Sequence, residues 1–332
     1  MEAMLYEKAG DAVRCLLCAR RCIIAEGKLG TCGVRENVGG TLRTLVYGKA
    51  ASCAVDPIEK KPLYHFHPGT KALSISTVGC NFRCRFCDNW SISQPERISG
   101  EPLSPGEIVS LAKRSGCRSI SYTYTEPTIF FEYAYDTARL ARKDGIFNTF
   151  VTNGYMTPEA VEAISPYLDA ATVDFKGSGD QSFYRTFCGV PDANPVFEAL
   201  LEMKRRRIFI EVTNLIVPGG GDLKPPFLKL ADWIRDELGA ETPYHLLRFF
   251  PSYLCSDARQ LPPKRMEEFW SMARGEGLRH VYLGNMPGGD FENTICPSCG
   301  SIAIERCGFE VISTNLNWNA CSRCGRALNI VV

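Results

Sequence analysis

The stretch GCNFRCRFCDNW, Gly79 to Trp90, places three cysteines, Cys80, Cys84 and Cys87, within eight positions. A closed zinc site or an ordinary iron–sulfur cluster takes four protein ligands. Three at the spacing Cys-x3-Cys-x2-Cys leave one coordination position to something other than the chain. No fourth ligand follows nearby, because Asp88 to Gly116 contains no cysteine.

The triplet sits just after the first of seven β-rich runs, Leu73–Thr77, Ser119–Thr125, Phe147–Thr152, Ala170–Lys176, Phe209–Val217, His245–Pro251 and His280–Asn285. Between them, Pro105–Ser115, Ile129–Lys143, Pro195–Arg206, Pro225–Leu238 and Lys264–Gly275 carry apolar residues at three-and-four spacing, the helical period. Ser104-Pro105-Gly106-Glu107 and Thr157-Pro158-Glu159 are helix-start signals. This alternation predicts an α/β fold of parallel strands joined by crossover helices, either barrel-like or doubly wound. Glu126, Asn153, Asp174, Lys176, Asn214, Arg248 and Asn285 fall at the C-terminal edges of the runs. That edge builds the active site of β/α barrels, so one site shared with the triplet is expected.

The bulk numbers narrow the class. A chain of 332 residues, 45% hydrophobic and 23% charged, can bury a large core and has an ordinary globular composition. A net charge of +1 provides no overall attraction to nucleic acid or anionic lipid. The start, Met1 to Lys8, lacks the basic-then-apolar pattern of an export signal, and no apolar run is long enough to span a bilayer. A cytoplasmic location is therefore expected. There, sixteen cysteines read as metal ligands rather than as disulfides. Cys53, Cys117, Cys188, Cys255 and Cys307 belong to no cluster and read as small buried hydrophobes. The basic run Lys204-Arg205-Arg206-Arg207 ends a predicted helix, where cations suit the dipole.

The spacing of the triplet, with Phe86 directly before its last cysteine, resembles the signature of the radical S-adenosylmethionine (SAM) enzymes. That resemblance implies a partial (β/α)6-type barrel and a [4Fe–4S] cluster on Cys80, Cys84 and Cys87. The fourth iron would be open to the amino and carboxylate groups of SAM. Reductive cleavage would then give methionine and a 5′-deoxyadenosyl radical that takes a hydrogen atom from substrate. Arg14-Cys15-Leu16-Leu17-Cys18, Asp56 through His65 (DPIEKKPLYH), Tyr122-Thr123-Tyr124-Thr125-Glu126-Pro127 and Val151-Thr152-Asn153-Gly154 resemble the AmmeMemoRadiSam-system radical SAM enzymes. Those are relatives of the pyruvate formate-lyase activating enzymes. By the same resemblance Phe86 packs beside the adenine and Glu126 lies near the SAM amino group. Asn153, Asp174 and Lys176 surround the ribose, the carboxylate or a bound cation, and His245 and Arg248 face SAM or substrate. An external electron donor of the flavodoxin or ferredoxin type is implied, and a protein is one implied substrate. Two features depart from the pattern. Tyr124-Thr125-Glu126 stands where the relatives often carry Gly-Gly-Glu, and the cysteine-rich block that often follows the triplet is absent.

Two sets of four cysteines flank this core, in segments 1–70 and 291–332. Between core and tail, Met286-Pro287-Gly288-Gly289-Asp290 reads as a linker. In the tail, Cys296-Pro297-Ser298-Cys299-Gly300 and Cys321-Ser322-Arg323-Cys324-Gly325 are two metal knuckles spaced as in a zinc ribbon or a rubredoxin. Zinc and mononuclear iron both suit such a site. Near the start, Cys15, Cys18, Cys22 and Cys32 supply four thiolates to zinc or to an auxiliary iron–sulfur cluster, stapling a segment too short for a core of its own. His65 and His67 read as hydrogen-bonded structural residues, since each four-cysteine set is already complete. Three rival functions are radical modification of RNA or a peptide, electron transfer without radical chemistry, and a zinc-ribbon nucleic-acid adaptor. The near-neutral charge argues against the last.

Overall fold

The computed structural model describes residues 1–286 and 289–332. Pro287 and Gly288, at the centre of the expected linker, lie outside the described residues. The frame is an eight-stranded sheet of β1 (Ser52–Pro57), β2 (Lys71–Ser76), β3 (Ser119–Tyr122), β4 (Phe147–Thr152), β5 (Ala170–Lys176), β6 (Phe209–Ile216), β7 (Tyr244–Arg248) and β8 (Val281–Gly284). Strands β2 to β8 lie side by side in chain order and pair in parallel, while β1 pairs antiparallel with β2. The pairing order is linear, with β1 and β8 as its two ends, so the sheet is an unclosed barrel wall.

Helices α1 (Pro105–Arg114), α2 (Phe131–Lys143), α3 (Pro158–Ile164), α4 (Asn194–Arg205), α5 (Lys224–Trp233) and α6 (Pro263–Gly275) cross between successive parallel strands. Parallel neighbours cannot be joined by a hairpin, so each needs such a crossover. Helix α1 opens on a capping box, with Ser104 accepting from the Glu107 amide and the Glu107 side chain returning to Ser104. In α3, Thr157 accepts from the Ala160 amide. Two residues of the basic run at the end of α4 are paired with acids: Glu202 takes Arg205 and Arg206, and Glu162 also takes Arg206.

The segment before β1 adds a small antiparallel sheet, Tyr6–Ala9, Ala12–Cys15 and Ile23–Ile24, and a hairpin, Arg35–Val38 with Thr41–Thr44. It does not form a separate core. Val13, Val34, Leu42 and Val46 belong to the same buried cluster as Ile75, Phe82 and Ile129. A segment too short for a core of its own thus finds partners for its apolar side chains on the barrel. Buried Arg35 fixes the union, with Nη1 donating to Glu132 Oε2 at 3.1 Å and Nη2 to Met4 O at 2.7 Å.

The tail folds as Thr294–Ile295, Ile302–Cys307 and Glu310–Thr314, followed by the two-stranded pair Leu316–Asn317 and Ala320–Cys321. It reaches under the barrel. Val331 N donates to His65 O at 2.8 Å, His67 N to Val331 O at 2.7 Å, and Arg306 Nη2 to Tyr64 O at 2.6 Å. His65 is held by Asn329 O at Nδ1 (2.7 Å) and the Tyr282 hydroxyl at Nε2 (2.6 Å), and His67 stacks on Phe147. Both histidines therefore serve structure. Of the scattered cysteines, Cys117 and Cys188 are buried, whereas Cys53 and Cys307 are exposed and correct the hydrophobe reading. Both lie on strands with a solvent face, where alternation turns every second residue outward.

Candidate active site

Strand alternation decides which strand-end residues meet. Inward positions along neighbouring strands share one parity, and the register aligns Asp174 with Thr213 and Lys176 with Leu215. Those four residues line one cavity together with Cys80, Cys84 and Cys87. Phe86, Glu126, Asn153 and Asn285 line it too, so six strand-top or loop residues named from the sequence, Asp174, Lys176 and Asn285 among them, converge there with the triplet. The cavity, about 290 Å³, opens above the C-terminal ends of the parallel strands.

The opposite parity removes others. Asn214 is buried behind the wall, accepting from Ser178 N at 2.9 Å and donating to the Tyr244 hydroxyl at 2.8 Å. Arg248 also misses the cavity lining and gives its Nε to Leu261 O at 2.7 Å. His245 has the inward parity but sits one layer deeper, with Nε2 2.8 Å from Glu211 Oε2 and its ring stacked on Tyr282. It belongs to the barrel floor, so the expectation that His245 and Arg248 face SAM or substrate is corrected.

Cys84 is buried, Cys80 and Cys87 are half-buried, and the Cys87 sulfur lies 3.2 Å from Ser93 Oγ. Burial pushes the Cys80 and Cys87 thiols up; for Cys84 the contact with the Cys188 thiol acts first and burial second. Buried thiolates need a cation among them. The chain offers partial compensation: Phe82 N donates to Cys80 Sγ at 3.4 Å, and Asn153 Nδ2 stands 3.9 Å from it. Among the described residues, no three ligand atoms from this set lie within 4.8 Å of one another, a spread wider than one tetrahedral ion draws together. Donor type, burial and spread all fit a cluster in which each cysteine binds its own iron.

Glu126 is wholly buried and accepts four hydrogen bonds. Oε1 receives Thr128 N (3.0 Å), Thr128 Oγ1 (2.6 Å) and Thr152 Oγ1 (2.7 Å), and Oε2 receives Asn153 N (2.8 Å). Burial still raises its pKa, against those four donors. Asn153 Nδ2 donates to Asn81 Oδ1 at 2.7 Å, leaving Asn81 Nδ2 buried with no partner among the described residues, one position from Cys80. Lys176 Nζ lies 3.7 Å from Asp174 Oδ2. Burial alone would depress that ammonium, but Asp174 and the cysteine sulfurs outweigh it and raise it.

The lining residues that went unassigned in the sequence include Lys60, Lys61, Tyr124 and Thr213. Lys61 Nζ meets Asp56 Oδ2 at 2.7 Å, Lys60 Nζ meets Asp56 Oδ1 at 2.8 Å, and the Tyr124 hydroxyl donates to Asp56 Oδ2 at 2.5 Å. The two lysines hold Asp56 far below the usual carboxylate range although burial opposes them. The run DPIEKKP contained the signal, a carboxylate four and five residues before two lysines. Only the antiparallel placement of β1 shows that it points inward.

In the tail, Cys296 and Cys324 sulfurs stand 3.6 Å apart and Cys299 and Cys321 sulfurs 3.8 Å apart. All four sulfurs lie within 4.8 Å of one another, the spacing of thiolates around one metal ion.

Residues 74–234 match the Radical SAM superfamily. A Methanocaldococcus jannaschii protein, MJ0808, is 46% identical over 336 aligned positions, covering 100% of this chain and 99% of its own length. A 7-carboxy-7-deazaguanine synthase of Thermococcus kodakarensis is 26% identical over 127 residues, 32% of this chain and 50% of that one. In fold, the chain is similar to a radical SAM methyltransferase from Sphaerobacter thermophilus (TM-score 0.51, 16% identity, 67% of this chain and 68% of that). It is similar also to Streptococcus suis SuiB bound to S-adenosylmethionine (TM-score 0.51, 13% identity, 63% and 49%). With a triplet at the mouth of a parallel α/β wall and the superfamily's model matched over residues 74–234, the chain is a member of the Radical SAM superfamily.

Proposed function

We propose that this protein binds a [4Fe–4S] cluster at Cys80, Cys84 and Cys87, binds SAM in the cavity beside it, and uses the product radical to take hydrogen from a protein substrate. The observation that carries the reading is the convergence of the triplet with Glu126, Asn153, Asp174 and Lys176 on one cavity. When bound, the cluster supplies the low-potential electron that breaks a sulfonium C–S bond of SAM, yielding methionine and a 5′-deoxyadenosyl radical.

The chain's own residues prepare that event. Four donors fix Glu126 in place, so its carboxylate meets a ligand amino group without rearrangement. Asn81 and Asn153 hold each other beside Cys80, and the free Asn81 amide hydrogen is available to an acceptor. Lys176 offers a buried ammonium to a carboxylate and Asp174 offers an acceptor to a hydroxyl. Phe86, packed on Phe183 and Phe249, keeps water from that wall.

The finer assignment, an AmmeMemoRadiSam-type enzyme akin to the pyruvate formate-lyase activating enzymes, is supported by the motifs around Cys15, Asp56, Tyr122 and Val151. A sheet left unclosed between β1 and β8 supports a large substrate, since entry is not limited to the strand tops. The electron donor we propose is of the flavodoxin or ferredoxin type. The test is anaerobic: reconstitute with iron and sulfide, add reductant and SAM, and assay 5′-deoxyadenosine. Wild type makes it and Cys84→Ala does not, while the tail metal persists in both. A correctly assembled cluster that yields none overturns the reading.

A further inference from the structure

The N-terminal cysteines differ from the tail cysteines in spacing. Cys15, Cys18, Cys22 and Cys32 line one cavity, together with Arg35. Yet among the described residues no three of their sulfurs lie within 4.8 Å of one another, whereas all four tail sulfurs do. A single ion with metal–sulfur bonds of about 2.3 Å gathers its thiolates to roughly 3.8 Å apart, which the tail reproduces at 3.6 and 3.8 Å. An iron–sulfur cube spreads them farther, because each thiolate binds a different iron. Neither the N-terminal set nor Cys80, Cys84 and Cys87 forms the compact group seen in the tail.

A second observation points into the same cavity. Arg35 is 1% exposed and its two terminal nitrogens are engaged by Glu132 and Met4. Its Nε–H is buried with no partner among the described residues. An orphaned donor of that kind is costly unless something accepts it. The sulfur atoms of a cluster accept such hydrogen bonds. The site also abuts the triplet loop. Arg20 Nε donates to Asn81 O at 2.5 Å, and Arg83 joins Cys80 O (2.8 Å) to the Thr31 carbonyl.

We infer that Cys15, Cys18, Cys22 and Cys32 hold a second iron–sulfur cluster rather than zinc, with Arg35 Nε–H donating to it. This goes beyond the radical function and does not depend on it. The test is metal and acid-labile sulfide analysis of the anaerobically reconstituted full-length chain. With Cys80, Cys84 and Cys87 all changed to alanine, about four iron and four sulfide should remain per chain, with a reduced-cluster electron paramagnetic resonance signal. Adding Cys18→Ser and Cys32→Ser should remove them. Zinc without sulfide in the triplet-free chain overturns the inference. Should that variant fail to fold, Cys18→Ser with Cys32→Ser in the native chain decides: about four sulfide per chain are lost, and a sulfide count unchanged by the two substitutions overturns the inference. Absence of 5′-deoxyadenosine formation bears on the radical reading and leaves these counts unaffected.

Discussion

Gly79 and Val34 are in closest packing: a Cβ on Gly79 would stand 2.6 Å from Val34 Cγ1 and 3.0 Å from Cys32 O. Gly79 also holds φ at +100°, a conformation that side chains rarely adopt. Gly79→Ala should therefore combine backbone strain with overpacking and destabilise the fold by roughly 2 kcal/mol or more. The same push reaches both the triplet loop and the loop that carries Cys32. Urea unfolding checks the loss, and iron content on reconstitution should fall with it.

Glu132→Ala would leave Arg35 as an uncompensated buried charge. Both side chains of this pair are 1% exposed, and Glu132 Oε1 also accepts from Met4 N at 2.7 Å. Breaking a buried pair from one side costs about 3–5 kcal/mol. A drop of that size in denaturant stability is expected. Glu132→Gln should recover part of it by keeping the acceptor.

The histidines of the barrel floor make the protein acid-sensitive. Burial, with Arg118 nearby, lowers the His67 pKa to about 4, and burial also lowers those of His65 and His280. Unfolded, each titrates near 6.5. Below that value the unfolded chain binds protons that the folded chain refuses, so stability present above pH 6.5 is lost as pH falls. The slope approaches ~1.4 kcal/mol per pH unit for each such histidine, and for His67 the window runs from about 6.5 to about 4. Urea midpoints should fall between pH 7.5 and 5.5, and His67→Phe should flatten that dependence.

Removing the tail metal should loosen the floor without emptying the triplet. Cys299→Ser with Cys321→Ser abolishes the compact sulfur set and, with it, the metal's share of folding energy. Arg306, buried and bonded to Tyr64 O, Thr294 and Glu292 O, loses its support. Thermal unfolding should begin earlier, while labile sulfide stays near the wild-type count.

Much of this was legible because local signals agreed with the global pattern. The runs Phe147–Thr152 and Ala170–Lys176 are strands over those bounds, and the triplet, read as following the first run, stands at the mouth of the wall. The failures have physical causes. Asn214 and Arg248 were polar residues at strand ends, but side-chain direction there follows parity relative to neighbouring strands, which no single strand reveals. His245 had the right parity and the wrong depth, and only Glu211 on the adjacent strand shows the layer it joins. Lys60 and Lys61 enter the cavity from the short turn at 58–61 that follows β1, a strand that precedes the triplet and pairs antiparallel with β2, a non-local fact. Arg35 carried no local signal at all.

The floor beneath the barrel also sets a folding order. Its contacts join residues far apart in the chain: His65 with Tyr282 at a separation of 217, Tyr64 with Arg306 at 242, and His65 with Asn329 at 264. Loops of that length close slowly, and topologies rich in such contacts fold late. During synthesis the wall and the triplet loop emerge first, while Tyr64 and His65 wait for residues near 330 to leave the ribosome. The barrel thus spends part of its biogenesis open at the bottom, an interval in which buried thiols are accessible and metal loading competes with oxidation.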